Sequence, residues 1–243
     1  MPGGFTSIGR KCGQRSACNV SSSYIHCPEL VDHAKFENVA SQVQDAMEDI
    51  FDPTKPHFLE WVRIHNMGSD NIQTSELEKR SISTPLFFVA FCGFSGLAKH
   101  LIITRALDVN AKVRNDWTPL FAASHVGHVD VVQVLLDYGS DVNALDIYDQ
   151  SPLHMASFGS HVNVVQLLLE HGANVNTQDN YDCYTPLHWA SEEGELEITR
   201  PLLDHGADAH IRNRDGLTPF QMATRYWYHD VAQLLLDHGA ERE

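Results

Sequence analysis

The sequence predicts an all-α solenoid of about five helix–loop–helix repeats behind an N-terminal helical pair. Two observations carry this. A Thr-Pro-Leu-like tripeptide recurs at Thr84, Thr118, Ser151, Thr185 and Thr218, at steps of 34, 33, 34 and 33 residues. An apolar run follows at a fixed distance in most copies, as in Val131-Val132 with Val134-Leu135-Leu136, and ends at a glycine-containing stop. Self-similarity at this period is the signature of a stacked array.

Each unit reads as two short helices. Thr or Ser is a good N-cap, because its hydroxyl can accept from the free N–H groups of the first turn. Proline suits the next position, where its missing N–H costs nothing. Nine residues after the cap stands Gly93, Gly127 or Gly194, which ends the first helix. The Val/Leu run is one apolar stripe of a second helix. Stops such as Glu170-His171-Gly172-Ala173 close it, and a polar stretch with turn chemistry returns the chain to the next cap.

Segments such as TPLFAASHVGHVDVVQVLLDYGSDVNA and SPLHMASFGSHVNVVQLLLEHGANVN resemble ankyrin repeats. The resemblance spans roughly residues 81–243 and implies stacked helix pairs with β-turn fingers along one edge. His154 and His188 match the family's Thr-Pro-Leu-His position, while Phe87, Phe121 and Gln221 depart from it. Arg105, Ser160 and Trp227 stand where the family carries glycine, Leu107 reads as a one-residue insertion, and Pro201 occupies a leucine place inside a second helix. A kink or tightened first turn is expected there.

The expected organisation is a disordered tail (1–28), a helical capping segment (29–66), a linker (67–82) and repeats at about 83–115, 116–148, 149–182, 183–215 and 216–243. Val31, Phe36, Val39, Val43, Met47 and Phe51 recur at helical spacing before the break at Asp52-Pro53. Phe58, Leu59, Trp61 and Val62 form a second apolar group. This pair resembles the segment ahead of ankyrin arrays in fungal proteins, NACHT-type ones included. That likeness implies a C-terminal sensor or regulatory segment of a multidomain signalling NTPase as an alternative reading. Without it, the pair can still cover the open end of the stack, with Val43, Met47, Phe51, Phe58 and Trp61 facing the first repeat or each other.

Composition excludes several classes. Thirty-two Asp and Glu against seventeen Lys and Arg give a net charge of −15, which opposes phosphate backbones and anionic membranes. Five sparse cysteines suggest no disulfide framework, and the start has no apolar signal core, so a cytoplasmic location is expected. No Gly-Lys-Ser or Gly-Lys-Thr phosphate loop occurs. Cys12, Cys18 and Cys27, near His26 and His33, match no compact zinc spacing. Most of the fifteen histidines fall at repeat-determined places. Ser95 lies in Gly-Phe-Ser-Gly rather than a nucleophile elbow. No enzyme activity, cofactor or metal is expected.

The expectation is therefore a monomeric module that binds a protein partner through its fingers and first helices. The positions the repeat leaves free are Arg114, Asn115 and Trp117, then Ile147 and Tyr148, then Tyr181, Asp182 and Tyr184, then Arg214 on the fingers. The first helices add His125, Phe158, Glu192, Arg225 and Tyr226. Trp, Tyr and Arg are enriched at binding hot spots. Trp117, Tyr148, Tyr181 and Tyr184 are expected on one solvent-facing edge.

Overall fold

The computed structural model describes residues 84–241. The expected tail, capping pair and linker, with Val43, Met47, Phe51, Phe58 and Trp61, lie outside them. The described chain is a run of five helix pairs: α1 Thr84–Cys92 with α2 Ser95–Arg105, α3 Pro119–Val126 with α4 Val129–Asp137, α5 Pro152–Phe158 with α6 Val162–Glu170, α7 Pro186–Glu193 with α8 Leu196–Asp204, and α9 Pro219–Arg225 with α10 His229–Asp237. No strand occurs among these residues. First helices pack side by side in one layer, second helices in another, and each pair closes on itself.

The repeat chemistry sets the helix ends. Thr118, Ser151, Thr185 and Thr218 are extended N-caps whose side chains accept from the N–H three residues on, with proline at the first helical position. The second helices stop on a shared motif. The Gly139 N–H donates to the Leu136 carbonyl and the Ser140 N–H to that of Leu135, with Gly139 at φ +83°. This double return bond satisfies carbonyls that the helix end leaves open.

Between the layers the Val/Leu stripes form one core. Val131, Val132, Leu135, Val164, Val165, Leu168, Ile198, Leu202, Val231 and Leu235 are all buried, with Leu86, Leu120, Leu153 and Leu187 from the first helices. A buried side chain of this kind contributes about 2 kcal/mol. Neither helix of a unit can bury its stripe alone, so each unit depends on its neighbours.

Both 34-residue steps have a local cause. In the first unit α2 runs for eleven residues, against nine in the other second helices, and the extra residue moves the left-handed stop one place later relative to the cap. Arg105 is therefore helical, and Ala106 takes the left-handed position at φ +47°. Leu107 is buried where Ser140, Ala173 and Ala240 are buried in other units. The expectation that Arg105 replaces the stop glycine and that Leu107 is inserted is corrected by one place. The second extra residue lies in the finger between the third and fourth units. There the Asp179 N–H bonds to the Tyr184 carbonyl across five positions, whereas the Asp146 N–H reaches Gln150 across four.

A row of contacts explains which glycines the array can lose. A Cβ on Gly127 would meet the His161 ring at 2.5 Å, one on Gly93 the His128 ring at 2.7 Å, and one on Gly194 the Tyr228 ring at 2.4 Å. The third unit has Ser160 here at φ +58°, and the next unit places Glu195 over it instead of a ring. The Ser160 hydroxyl donates to that carboxylate at 2.7 Å. Trp227 takes the same place at φ +67° in the fifth unit and is 77% exposed.

An asparagine ladder ties the loops after the second helices. The Asn110 amide donates to the Gly139 carbonyl and accepts from the Asp141 N–H. Asn143 does the same with Gly172 and Asn174, and Asn176 with Gly206 and Asp208.

Pro201 sits at the sixth residue of α8, which nevertheless runs unbroken over the same nine residues as its counterparts. Its ring is half-buried where Val134, Leu167 and Leu234 stand in the other units. Its missing N–H leaves the Glu197 carbonyl without its helical partner, on an exposed residue.

This packing sets the expected outcome of three substitutions. Pro201→Leu should raise the urea midpoint, through a gain in unfolding free energy of up to about 3 kcal/mol, and slow hydrogen exchange over residues 195–240. An unchanged midpoint, with exchange there already as slow as over residues 118–170, would mean that α8 carries its proline without cost. Gly127→Ala should destabilise by more than about 1 kcal/mol, while Trp227→Gly should stabilise by about 1 kcal/mol by relieving a left-handed tryptophan. Thermal unfolding of the last two variants checks the opposite signs.

Candidate functional site

The site is the edge where fingers and first helices meet, and its geometry starts from buried Asx residues. The Asp146 carboxylate accepts from the Tyr148 and Gln150 N–H groups, and Asp179 accepts from those of Tyr181, Asp182 and Tyr184. Asn213 accepts from the Leu217 N–H. These side chains fold each finger into a tight turn. Burial pushes the Asp146 carboxyl up, against the hydrogen bonds that hold it ionised.

Neighbouring fingers are joined by one backbone bond each. The Ile147 N–H donates to the Asn115 carbonyl at 3.1 Å, Asn180 N–H to Tyr148 at 2.9 Å, and Arg214 N–H to Asp182 at 2.8 Å. The Arg214 guanidinium adds a bond to the Asn180 carbonyl. The fingers therefore form a continuous edge rather than separate loops.

Two buried histidines tie fingers to helices. The Ser151 N–H donates to Nδ1 of His154 at 3.1 Å, and Nε2 of the same ring lies 3.1 Å from the Tyr184 carbonyl. The donor at Nδ1 places the ring proton on Nε2, which donates to the next finger. His188 repeats the pattern with the Thr185 N–H at 3.2 Å and the Leu217 carbonyl at 3.2 Å. Burial pushes both imidazoles down, His188 to about 4. Other histidines serve helix ends: His171, His205 and His238 bond the carbonyls of Leu167, Pro201 and Leu234.

The structure divides the expected binding residues. Ile147, Tyr148, Phe158 and Tyr181 are 48%, 41%, 42% and 46% exposed. Arg214 and Arg225 are exposed, and Asn115, His125, Asp182 and Tyr226 are half-buried. Arg114 opens a short 3₁₀ turn, Arg114–Asp116, and its side chain is outside the described ones. Glu192 is half-buried and accepts from the Tyr226 hydroxyl at 2.7 Å.

Trp117 and Tyr184 do not lie on the solvent-facing edge. Tyr184 is buried, stacked on His188 with centroids 5.5 Å apart and edge-on to Trp189 at 4.9 Å. Trp117 is half-buried between Phe121 at 5.1 Å and Phe87 at 6.4 Å, and its Nε1 donates to the Asp146 carboxylate at 3.2 Å. Both residues immediately precede the N-cap, where the extended backbone directs the side chain onto the first-helix layer. Gln150 holds the same place and is also buried. Sequence reasoning missed Trp189, whose ring meets Phe158 edge-on at 5.1 Å. Its place four residues after the cap, filled by Met155 and Met222 in adjacent units, reads as core.

Paired helices with an edge of linked fingers define a helix–loop–helix repeat protein. Residues 86–179 and 178–242 match the family pattern described as Ankyrin repeats (3 copies). The chain belongs to the ankyrin-repeat family. A segment of 56 residues is 38% identical to alpha-latrocrustotoxin-Lt1a of Latrodectus tredecimguttatus, covering 23% of this chain and 4% of that protein. The chain thus matches only a small fraction of that relative's length. No described helix is long and apolar enough to cross a membrane.

The burial contrast predicts opposite behaviour for two tyrosines. Tyr184→Ala should cost about 3 kcal/mol, as truncation of a buried ring does, while Tyr148→Ala should change stability by less than about 0.5 kcal/mol. Chemical denaturation of both variants checks this.

Proposed function

We propose that this chain is a non-catalytic protein-recognition module whose partner lies across the fingers and first helices of the middle units. One observation carries the reading: Ile147, Tyr148, Phe158 and Tyr181 are large, apolar or aromatic, and exposed, three of them at the tips of two fingers joined by the Asn180–Tyr148 bond. The finger folds do not require Ile147, Tyr148 and Tyr181, since the finger bonds are made by backbone and by Asp146 and Asp179, while Phe158 rests one edge on Trp189 and leaves the rest of its ring exposed. Exposed rings on rigid supports suit hot spots, because little conformational freedom is lost on binding. Ankyrin repeats generally mediate protein–protein interaction, which agrees with this assignment.

The test is a capture experiment with the full chain and a Tyr148→Ala/Tyr181→Ala/Phe158→Ala variant. The variant should keep its melting temperature and lose partner affinity by roughly 2 kcal/mol or more. Equal capture by both proteins would move the interface elsewhere.

A further inference from the structure

The charge of this chain is segregated along the array. Between Arg114 and Arg200 there is no Lys or Arg in 85 consecutive residues, and this stretch holds thirteen Asp and Glu. The rest of the chain carries nineteen acids against seventeen cations, so nearly all of the net −15 belongs to the second, third and fourth units. The four exposed apolar side chains on the finger edge fall within the same stretch.

The carboxylates on that edge crowd together. Glu192 and Glu193 end α7, and Glu195 follows two residues on. Glu192 and Glu193 lie at the negative end of the α7 dipole, where a cation is favoured and a carboxylate is not, whereas Glu195 caps the start of α8. Among the described residues, none of the three forms an ion pair with Lys or Arg. Burial, then the charges of Glu192 and Glu195, push the Glu193 carboxyl up. Asp182 of the finger and Glu192 of the helix both act on the buried Tyr184 phenol, whose pKa is raised first by burial and then by these two charges. Tyr184 meets Trp189 edge-on at 4.9 Å and Trp189 meets Phe158 at 5.1 Å, while the Tyr226 hydroxyl holds Glu192 at 2.7 Å and Asp182 stands next to Tyr181 in the finger.

We propose that this edge receives a basic segment of a protein partner, with Lys or Arg side chains paired to Asp182, Glu192 and Glu193 and stacked on Tyr148, Tyr181 and Phe158. The inference rests on the protein-recognition reading and names its partner class. Charge complementarity decides the occupant: a cation removes the repulsion among the α7 carboxylates, and aromatic faces attract guanidinium and ammonium groups. An acidic or phosphate-bearing ligand would add to the repulsion.

The test is fluorescence anisotropy with the full chain and a labelled nine-residue peptide alternating arginine and leucine. A glutamate–leucine peptide is the control. The basic peptide should bind saturably and more weakly as salt rises, and the acidic peptide should not bind. Glu192→Gln/Glu193→Gln and Tyr148→Ala/Tyr181→Ala should each weaken it at least about tenfold. Asp137→Asn/Glu170→Gln, which removes the same charge from second helices, should leave affinity within about twofold. Equal weakening by both carboxylate pairs would reduce the effect to general acidity and overturn the proposal, as would no binding of the basic peptide. If the triple ring variant loses its captured partner while Glu192→Gln/Glu193→Gln keeps it, the recognition reading stands and the basic partner is wrong.

Discussion

The array depends on a bridge made by a neutral imidazole. His154 and His188 each accept the N–H of their own cap and donate to the carbonyl that ends the next finger. One ring thereby closes a helix start, fixes a finger and joins two units. Both rings are fully buried, so the bonds are shielded from water and leaving one unmade would be costly. The other units meet the same need differently. Gln221 caps the last unit, its amide oxygen accepting from the Thr218 N–H. Phe87 and Phe121 take the place in the first two, stacked with Trp117 between them. The N-terminal units are thus joined by aromatic stacking and the later ones by hydrogen-bonded imidazoles.

The stack is legible in the sequence because its determinants are local and repeated. A capping hydroxyl, a proline, a glycine and an apolar stripe each act within one or two turns, and five copies set the register. What escapes a sequence reading depends on contacts between units. The sequence alone does not say where an extra residue is absorbed, and in the first unit lengthening α2 by helical bonds puts the left-handed position at Ala106 rather than Arg105. Ser160 and Trp227 are recognisable as departures from the repeat. The reason Ser160 is tolerated lies 35 residues on, in Glu195.

The finger edge is half legible for a similar reason. Residues three and four before the cap are tips, and Ile147, Tyr148 and Tyr181 are exposed as that position implies. Trp117 and Tyr184 are also aromatic, but their place next to the cap turns them onto the helices. Composition recommends all of these rings equally; the direction of the backbone separates them. The proposed interface consequently rests on a smaller set of exposed side chains, on a scaffold whose fingers are bonded to one another.

The imidazole bridge is tested most directly by stability against pH. Burial holds the folded His188 at about 4, while the unfolded residue titrates near its ordinary value. Between those values the unfolded chain binds more protons, so the contribution of His188 is complete above about pH 6.5 and is lost as pH falls toward 4. The loss is on the order of 3 kcal/mol for this residue, with His154 acting in the same direction. Urea unfolding of the full chain should be compared from pH 8 to pH 4 with that of His188→Gln, which copies the cap that Gln221 makes in the last unit. The midpoint should fall clearly below pH 6.5 for the natural chain and less for the glutamine variant. Equal falls in the two proteins would contradict the imidazole bridge.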